Sequence, residues 1–192
     1  MNLALIFAGG TGTRMNSKTK PKQFLELNGK PIIIHTIELF ESHPEIDAIA
    51  VVCLESWIGY LNELLERFRI KKVKYVVPGG ETGQQSIRNG LTAFWDDQDI
   101  PRDSLVLIHD GVRPLINEDI ITRSIECAKQ YGNAITVTPA IETIITVSED
   151  DSVDQIMDRS KCRMARAPQT FRLCDIVEAH NKAITDGALN MI

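Results

Sequence analysis

The sequence of 192 residues predicts an α/β fold, in which helices cover both faces of a mostly parallel β-sheet. Three observations support this fold class. Short, uninterrupted apolar runs are typical of strands buried on both faces. They alternate with longer segments in which apolar residues recur every three or four positions, as in amphipathic helices. Hydrophobic residues make up 43% and charged residues 24% of the chain, as in ordinary globular domains.

The elements follow one another in a regular βα order. Strands are predicted at residues 3–8, 48–54, 72–77, 105–108 and 134–137. Helices are predicted between them, at 31–40, 57–68, 84–95 and 120–128. Right-handed crossovers then place all strands parallel, and ligands of such sheets bind at the carboxyl ends of the strands.

The segment 141–159 interrupts this order. Residues 141–147 are rich in β-formers, 148–151 form a turn cluster, and 152–157 can return as a second strand. A lone hairpin is only marginally stable in water, so a surface must cover it. A second subunit and the chain's own domain are both open candidates. We therefore predict one domain, made of 1–140 and 160–192, with an arm at 141–159.

Charge and composition exclude several classes. The net charge of −5 argues against a general nucleic-acid binder but allows a local phosphate site. The longest apolar runs, 3–8 and 48–54, are too short to cross a bilayer, and no signal peptide is visible. The four cysteines lack CxxC spacing and the four histidines are scattered. We expect a cytoplasmic protein with reduced thiols, no zinc site and no membrane partner.

The loop after the first strand carries the strongest signal. Residues 9–14 read Gly-Gly-Thr-Gly-Thr-Arg. A dinucleotide fingerprint would need a third glycine where Met15 stands, and no P-loop Gly-Lys-Ser/Thr follows. Glycines let backbone N–H groups approach a polyphosphate, and Arg14 and Lys22 add two cations. This combination predicts a triphosphate cradle, and the alternative is a glycine-rich turn with surface cations.

Three further segments could complete a site. Asp110, at the end of the fourth predicted strand, is well placed to bind Mg²⁺, and Arg113 is well placed to contact phosphate. The alternative is that Asp-Gly is only a turn. In 78–86, backbone groups and Ser86 could contact a base, unless the segment only caps a helix. A basic run could bind an anion or form a solvated loop; it consists of Arg159, Lys161, Arg163 and Arg166.

The ordered motifs A-G-G-x-G-x-R…P-K-Q, G-G-E, H-D-x-x-R-P and P-Q-x-F resemble those of the polyol-phosphate cytidylyltransferases. Two sister activities share them: 2-C-methyl-D-erythritol 4-phosphate cytidylyltransferase and D-ribitol 5-phosphate cytidylyltransferase. The resemblance covers essentially the whole chain. The first motif occurs in many sugar nucleotidyltransferases, whereas the ordered set of four is much more specific.

The resemblance implies a Rossmann-like domain of the nucleotide-diphospho-sugar transferase type, with a protruding β-arm at 141–159 that joins a homodimer. It implies transfer of CMP from CTP to a polyol phosphate, with Mg²⁺ as cofactor and pyrophosphate as the second product. It implies that Arg14 and Lys22 are catalytic and that Asp110 binds the metal. The acceptor would contact Arg113, Thr143 and Arg159. The residues implied for CTP binding are Ala8, Gly9, Gly10, Thr11, Gly12, Thr13, Gly80, Glu81, Ser86 and Gly111. Arg159 would be able to reach the site of the partner subunit.

The sequence departs from the family pattern at four places. Gly83 replaces a common arginine, Ala167 a threonine, and Gly111 an alanine or serine. Family members also continue for several tens of residues past Ile192, with a late strand and a lysine-containing segment, so we expect a longer protein.

Phe7 and the segment 55–58 favour the ribitol enzymes over the methylerythritol enzymes. Two alternatives from other classes stay open at this point. One is a nicotinamide-dependent oxidoreductase, which the missing third glycine disfavours. The other is a nucleotide-binding module without catalysis.

Overall fold

A six-stranded sheet forms the centre of the computed structural model, which describes residues 1–10 and 20–188. The strands of the chain are β1 (Asn2–Ala8), β2 (Glu26–Leu27), β3 (Lys30–Pro31), β4 (Ala48–Cys53), β5 (Val73–Pro78), β6 (Leu105–Asp110), β7 (Asn133–Pro139), β8 (Ile145–Val147), β9 (Val153–Ile156) and β10 (Arg163–Arg172). The central sheet has the order β5-β4-β1-β6-β10-β7. β5, β4, β1 and β6 are parallel, and β10 runs antiparallel to both of its neighbours.

Helices cover both faces of this sheet. They are α1 (Ile32–Ser42), α2 (Ile58–Arg67), α3 (Gly83–Trp95), α4 (Glu118–Tyr131) and α5 (Leu173–Thr185). α1, α2 and α4 share one core with Ala4 and Ile6 of β1, whereas α3 and α5 share the other core with Leu3 and Leu5. Successive side chains of a strand point to opposite faces, so the apolar run of β1 supplies both cores.

The predicted fold class and the predicted βα order are confirmed, with small shifts at the element ends. The helix predicted from Pro31 begins at Ile32, with Pro31 at the N-cap. Its apolar stripe is fully buried and consists of Ile33, Ile34, Ile37 and Phe40. α3 begins after Thr82, whose side chain accepts a hydrogen bond from the amide of Gln85.

β10 and α5 have no counterpart in the prediction. The end of the basic run lies in β10, which follows a short 3-10 helix at Arg159–Lys161. The burial of β10 does not begin until Pro168 and Thr170, and a proline is unusual inside a sheet, so the sequence gives a weak strand signal. The hydroxyl of Thr170 in β10 forms a hydrogen bond of 2.7 Å with the hydroxyl of Ser124 in α4.

β8 and β9 form the predicted hairpin, in which every strand residue is exposed. The first strand is shorter than predicted: it begins at Ile145, because only Ile145–Val147 have partners in β9, and residues 141–144 are not in a strand. The division into a domain and an arm stays a prediction. In the part of the chain that the structure describes, no helix has the length and apolar character needed to span a membrane.

Candidate active site

The loops after β1 and β5 touch at the carboxyl edge of the sheet. A Cβ atom added to Gly79 would lie 3.1 Å from the Cα of Gly9, and one added to Gly9 would lie 3.1 Å from the Oγ of Ser86. Backbone therefore meets backbone here, and small residues are needed on both sides. The structure thus brings together Gly9 and Ser86, which lie far apart in the sequence.

Ser86 stabilises the loop that precedes α3. Its hydroxyl accepts a hydrogen bond from the Gly80 amide at 3.0 Å and donates one to the carbonyl of Thr82 at 2.9 Å. A hydroxyl has one proton and two lone pairs, so one lone pair remains for a ligand. The neighbouring Glu81 is exposed, and its amide donates to the side-chain oxygen of Gln85 at 3.0 Å. The alternative that this segment caps a helix is correct for Thr82, while base contact by Ser86 stays a prediction.

Gly111 joins the loop after β6 to the end of β1. Its amide donates to the carbonyl of Phe7 at 2.9 Å, and its carbonyl accepts from the hydroxyl of Thr36 at 3.0 Å. A Cβ at position 111 would lie 2.9 Å from the Cβ of Ala8, closer than Cβ atoms normally approach. The departure from the family pattern at Gly111 therefore coincides with a close contact to Ala8.

Asp110 and Arg113 form an ion pair after β6. The Nε of Arg113 donates to Oδ2 of Asp110 at 3.0 Å, and the amide of Val112 donates to Oδ1 at 3.1 Å. The pair is half-exposed, so its own contribution to stability is small. Its importance lies in fixing a carboxylate and a guanidinium side by side at the strand end.

His109 supports this loop from inside the protein. The ring is fully buried against Phe40, and its Nε2 lies 3.0 Å from the carbonyl of Arg113. A carbonyl can only accept, so Nε2 carries the proton and donates. Burial lowers the pKa of His109, which keeps the ring neutral. The sequence motif contains this histidine, but the prediction gave it no role.

Asp110 fits a metal that is shared with a ligand. Among the described residues, no group of three or more His, Cys, Asp or Glu side chains could hold an ion alone. Mg²⁺ is commonly held by one or two carboxylates together with substrate phosphates and water. Each carboxylate oxygen of Asp110 accepts one protein hydrogen bond and keeps lone-pair capacity toward a cation.

Lys22 lies in a short 3-10 helix, Lys22–Phe24, that is fixed to the first loop. The side-chain amide of Gln23 donates to the carbonyl of Ala8 at 2.7 Å, and Phe24 stacks on Trp57 with ring centroids 4.9 Å apart. These two contacts place Lys22 beside the glycine loop. Within 1–10 and 20–188, the Lys22 ammonium has no hydrogen-bond or ion-pair partner. Gln23 belongs to the P-K-Q motif but was missed as a contributor to the site.

Four predicted residues, Thr11, Gly12, Thr13 and Arg14, lie outside the described residues. The cradle is therefore described only at its entry, Ala8 to Gly10, and at its exit near Lys22. The roles predicted for those four residues stay predictions.

A cavity of about 430 Å³ opens beside Asp110 and Arg113. Its remaining walls come from β1, α3, β6, β10 and α5. The lining residues of these elements are Phe7, Ile87, Ile108, Ala165, Arg166, Ala167, Gln169, Phe171, Ile176 and His180. His180 was not predicted as a site residue, and Arg166 was predicted only as one member of the basic run that could bind an anion. Both lie in elements that the sequence did not predict, and Arg166 gave only a compositional signal as part of the basic run.

Thr143 and Arg159 lie at the base of the arm and do not line this cavity. Nη1 of Arg159 donates to the carbonyl of Ile141 at 2.8 Å, which ties the two ends of the arm together. β7 runs parallel to β6, so the chain enters the arm from the same sheet edge that carries Asp110. Both residues therefore lie toward this edge, outside the lining of the cavity.

The family model described as IspD, 2-C-methyl-D-erythritol 4-phosphate cytidylyltransferase, matches residues 2–191. The chain belongs to this family. The IspD-family chain is 57% identical over 186 residues to a ribitol-5-phosphate cytidylyltransferase of Vibrio parahaemolyticus, with 97% of this chain and 77% of the relative covered.

A second relative represents the sister activity. The 2-C-methyl-D-erythritol 4-phosphate cytidylyltransferase of Clostridium acetobutylicum is 40% identical over 190 residues, which cover 98% of this chain and 80% of the relative. Among solved structures, the 4-diphosphocytidyl-2C-methyl-D-erythritol synthase of Anaerococcus prevotii superposes with a TM-score of 0.80 at 27% identity, covering 95% of this chain and 74% of that one.

These similarities confirm the family resemblance, the fold class and the enzyme class predicted from the motifs. The IspD-family chain is a CTP-dependent nucleotidyltransferase of the cytidylyl-transferring type that acts on polyol phosphates. Enzymes of this kind generally use a divalent metal ion, toward which Asp110 offers one carboxylate. The two alternatives, a nicotinamide oxidoreductase and a module without catalysis, are not supported.

Proposed function

We propose that this chain transfers CMP from CTP to D-ribitol 5-phosphate and releases pyrophosphate. The observation that carries the proposal is the meeting of three motif loops, at Ala8–Gly10, Gly79–Ser86 and Asp110–Arg113, on one sheet edge beside an open cavity. The choice of acceptor rests on the higher identity to the Vibrio ribitol enzyme than to the Clostridium methylerythritol enzyme. Phe7, which favoured the ribitol enzymes, lines the cavity.

The acceptor supplies its own nucleophile. A phosphate monoester has a second pKa of about 6, so near neutral pH it is largely a dianion. One of its oxygens attacks the α-phosphorus of CTP, a new P–O bond forms, and the bond to the β-phosphate oxygen breaks. Both electrons of the broken bond leave with pyrophosphate. No general base is needed, which agrees with the burial of neutral His109 behind the site.

The protein's task is to hold two polyanions together. In the proposal, the amides of Ala8, Gly9 and Gly10 and of the following Thr11, Gly12 and Thr13 face the triphosphate, with Arg14 and Lys22 beside it. Gly80, Glu81 and Ser86 hold the cytosine and ribose, and Gly111 borders the nucleotide. Cations held in place before the reaction stabilise charge that grows on the leaving pyrophosphate, as in phosphoryl transfer generally.

Asp110 is the proposed ligand for Mg²⁺. When bound, this ion would neutralise phosphate charge and help to align the reacting groups. The chain's own contribution is the fixed carboxylate: Val112 and Arg113 hold its two oxygens through a backbone amide and a guanidinium. Arg113, Thr143 and Arg159 are proposed to contact the acceptor.

A homodimer through 141–159 completes the proposal. The arm exposes apolar side chains on both strands, including Ile145, Val147, Val153 and Ile156. An exposed apolar hairpin gains stability when a second surface covers it. A dimer would also allow Arg159 of one subunit to approach the acceptor site of the other. We further propose a cytoplasmic location, which the unpaired cysteines favour.

Pyrophosphate release tests the function directly. The chain is assayed with CTP and Mg²⁺ against D-ribitol 5-phosphate and, separately, 2-C-methyl-D-erythritol 4-phosphate, with Asp110→Asn as the inactive control. We expect kcat/KM to be at least tenfold higher for the ribitol acceptor. A preference for the methylerythritol acceptor would overturn the acceptor assignment. Thermal stabilisation by CTP without pyrophosphate release from either acceptor would overturn catalysis by this chain.

A further inference from the structure

Arg166 occupies a distorted part of β10 that faces the site. Ala165 pairs with Val137 and Gln169 pairs with Ile135, so four residue steps on β10 oppose two on β7. Pairing of β10 with β6 begins only at Gln169. The bulge therefore frees residues 166–168 from regular pairing, and bulges commonly redirect side chains near active sites.

The cavity beside this bulge has an electrostatic character suited to an anion. Its charged lining groups are one carboxylate, Asp110, and two guanidinium groups, Arg113 and Arg166. Burial and the positive charge of Arg88 lower the pKa of His180, so its ring adds no charge near neutral pH. Arg113 already shares its charge with Asp110 through the ion pair, which leaves Arg166 as the uncompensated charge of the lining.

Arg166 is free to bind, whereas its neighbours in sequence are engaged. Arg159 donates to the carbonyl of Ile141, and Arg163 donates to those of Ser160 and Cys162. For Arg166, no hydrogen bond or ion pair to any described residue exists, and the side chain is exposed. A free arginine in the lining of the cavity can take a ligand without breaking a protein contact.

We infer that Arg166 binds the phosphate group of the acceptor. This inference rests on the proposed function, because it assigns a residue to the acceptor of that reaction. A guanidinium presents parallel N–H donors that match two phosphate oxygens, and such charge-assisted pairs are among the stronger hydrogen bonds. Arg166 and Arg113 would then hold the phosphate from two sides of the cavity, with its reacting oxygen toward the nucleotide.

Steady-state kinetics of Arg166→Met and Arg166→Lys test this inference. The matched control is Arg172→Met, which removes another exposed arginine of β10 that does not line the cavity. For Arg166→Met we expect the KM for the polyol phosphate to rise about 10- to 100-fold, as expected for the loss of a charged hydrogen bond. The KM for CTP should stay within twofold. Arg166→Lys should lie between, because lysine keeps the charge but lacks the paired donors.

Competition separates phosphate recognition from recognition of the hydroxyl groups. Inorganic phosphate and D-ribitol are measured as inhibitors against the acceptor in the unchanged protein and in Arg166→Met. We expect inhibition by phosphate to weaken at least tenfold and inhibition by ribitol to stay within twofold. An unchanged acceptor KM in Arg166→Met, or a rise in the KM for CTP instead, would overturn the inference. If the unchanged protein releases no pyrophosphate, the proposed function fails first, and that result is distinct.

Discussion

The carboxyl edge of the sheet and the arm at 141–159 both carry predicted functional residues, but the strands that support these residues differ greatly in burial. At the edge, Ala8 and Asp110 are the last residues of strands that are almost entirely buried, and close glycine contacts hold the loops together. In the arm, every residue of both strands is exposed. The described part of the edge is therefore stabilised by its own domain, whereas the arm depends on whatever covers it.

The energy scales of the two regions differ accordingly. Burying one Val or Ile side chain stabilises by about 1.5–3 kcal/mol, and the strands of the edge have already gained this on folding. The four apolar side chains of the arm, Ile145, Val147, Val153 and Ile156, gain it only when another surface covers them. Variants in the two regions should therefore separate activity from assembly.

The largest expected effect is at the edge. Lys22→Ala should lower kcat about 100- to 1000-fold, because a cation placed against the leaving group stabilises the transition state more than bound CTP. The KM for CTP should change less than fivefold, and Lys71→Ala, an exposed lysine far from the motif loops in sequence, should change neither value. Equal losses in kcat and in CTP affinity would assign Lys22 to ground-state binding.

The next effect concerns assembly. Ile145 and Ile156 face each other across the hairpin, and replacing both with serine should weaken the proposed dimer about 100-fold. Sedimentation over a concentration series measures this. Tyr131→Ser removes another exposed large side chain outside the arm and should leave the dimer intact. A monomeric unchanged protein, or a dimer insensitive to the double variant, contradicts assembly through the arm.

A smaller effect tests how tightly the edge is packed. Gly111→Ala places a methyl group 2.9 Å from the Cβ of Ala8, and such overpacking should cost about 1–3 kcal/mol of unfolding free energy. Gly83→Ala is the matched control, because its Cβ meets no atom within 4 Å, and alanine favours a helix by up to about 1 kcal/mol over glycine. Chemical denaturation compares the two. Equal stabilities would show that the contact between Gly111 and Ala8 relaxes freely.

The smallest effect is on pH dependence. Burial lowers the pKa of His109 in the folded protein, so the unfolded chain binds a proton more readily. The neutral ring makes its full contribution to the free energy of unfolding when the pH is above the ordinary histidine pKa of about 6.5. This contribution is lost as the pH falls below that value. Thermal unfolding at pH 7 and pH 5 should show this loss, and His109→Asn should reduce it. His180 acts in the same direction, so His180→Asn should remove a separate part. A pH slope unchanged in both variants contradicts this account.

Prediction from sequence worked best where a local pattern had a single physical cause. The buried run of β1, the stripe of α1 and the turn at the arm were predicted because period and turn chemistry are local. β10 was missed because its first four residues are exposed and it contains a proline, so the sequence lacks the usual pattern of a strand. Its pairing is with two strands that are distant in sequence. His180 was missed as a site residue, and Arg166 was not separated from the other cations of the basic run, since a cavity wall is created only when distant elements pack.

The amino-acid sequence alone determined the fold class, the order of the elements and the four motifs that mark the family. It did so because burial period, glycine at close turns and charge on loops are properties of short segments. Only the tertiary structure decided that Gly9 meets Ser86, that Gly111 meets Ala8, and that Arg166, in the bulge of β10, lines the same cavity as Asp110. Those contacts join segments far apart in the chain, and their positions follow from the packing of the whole sheet.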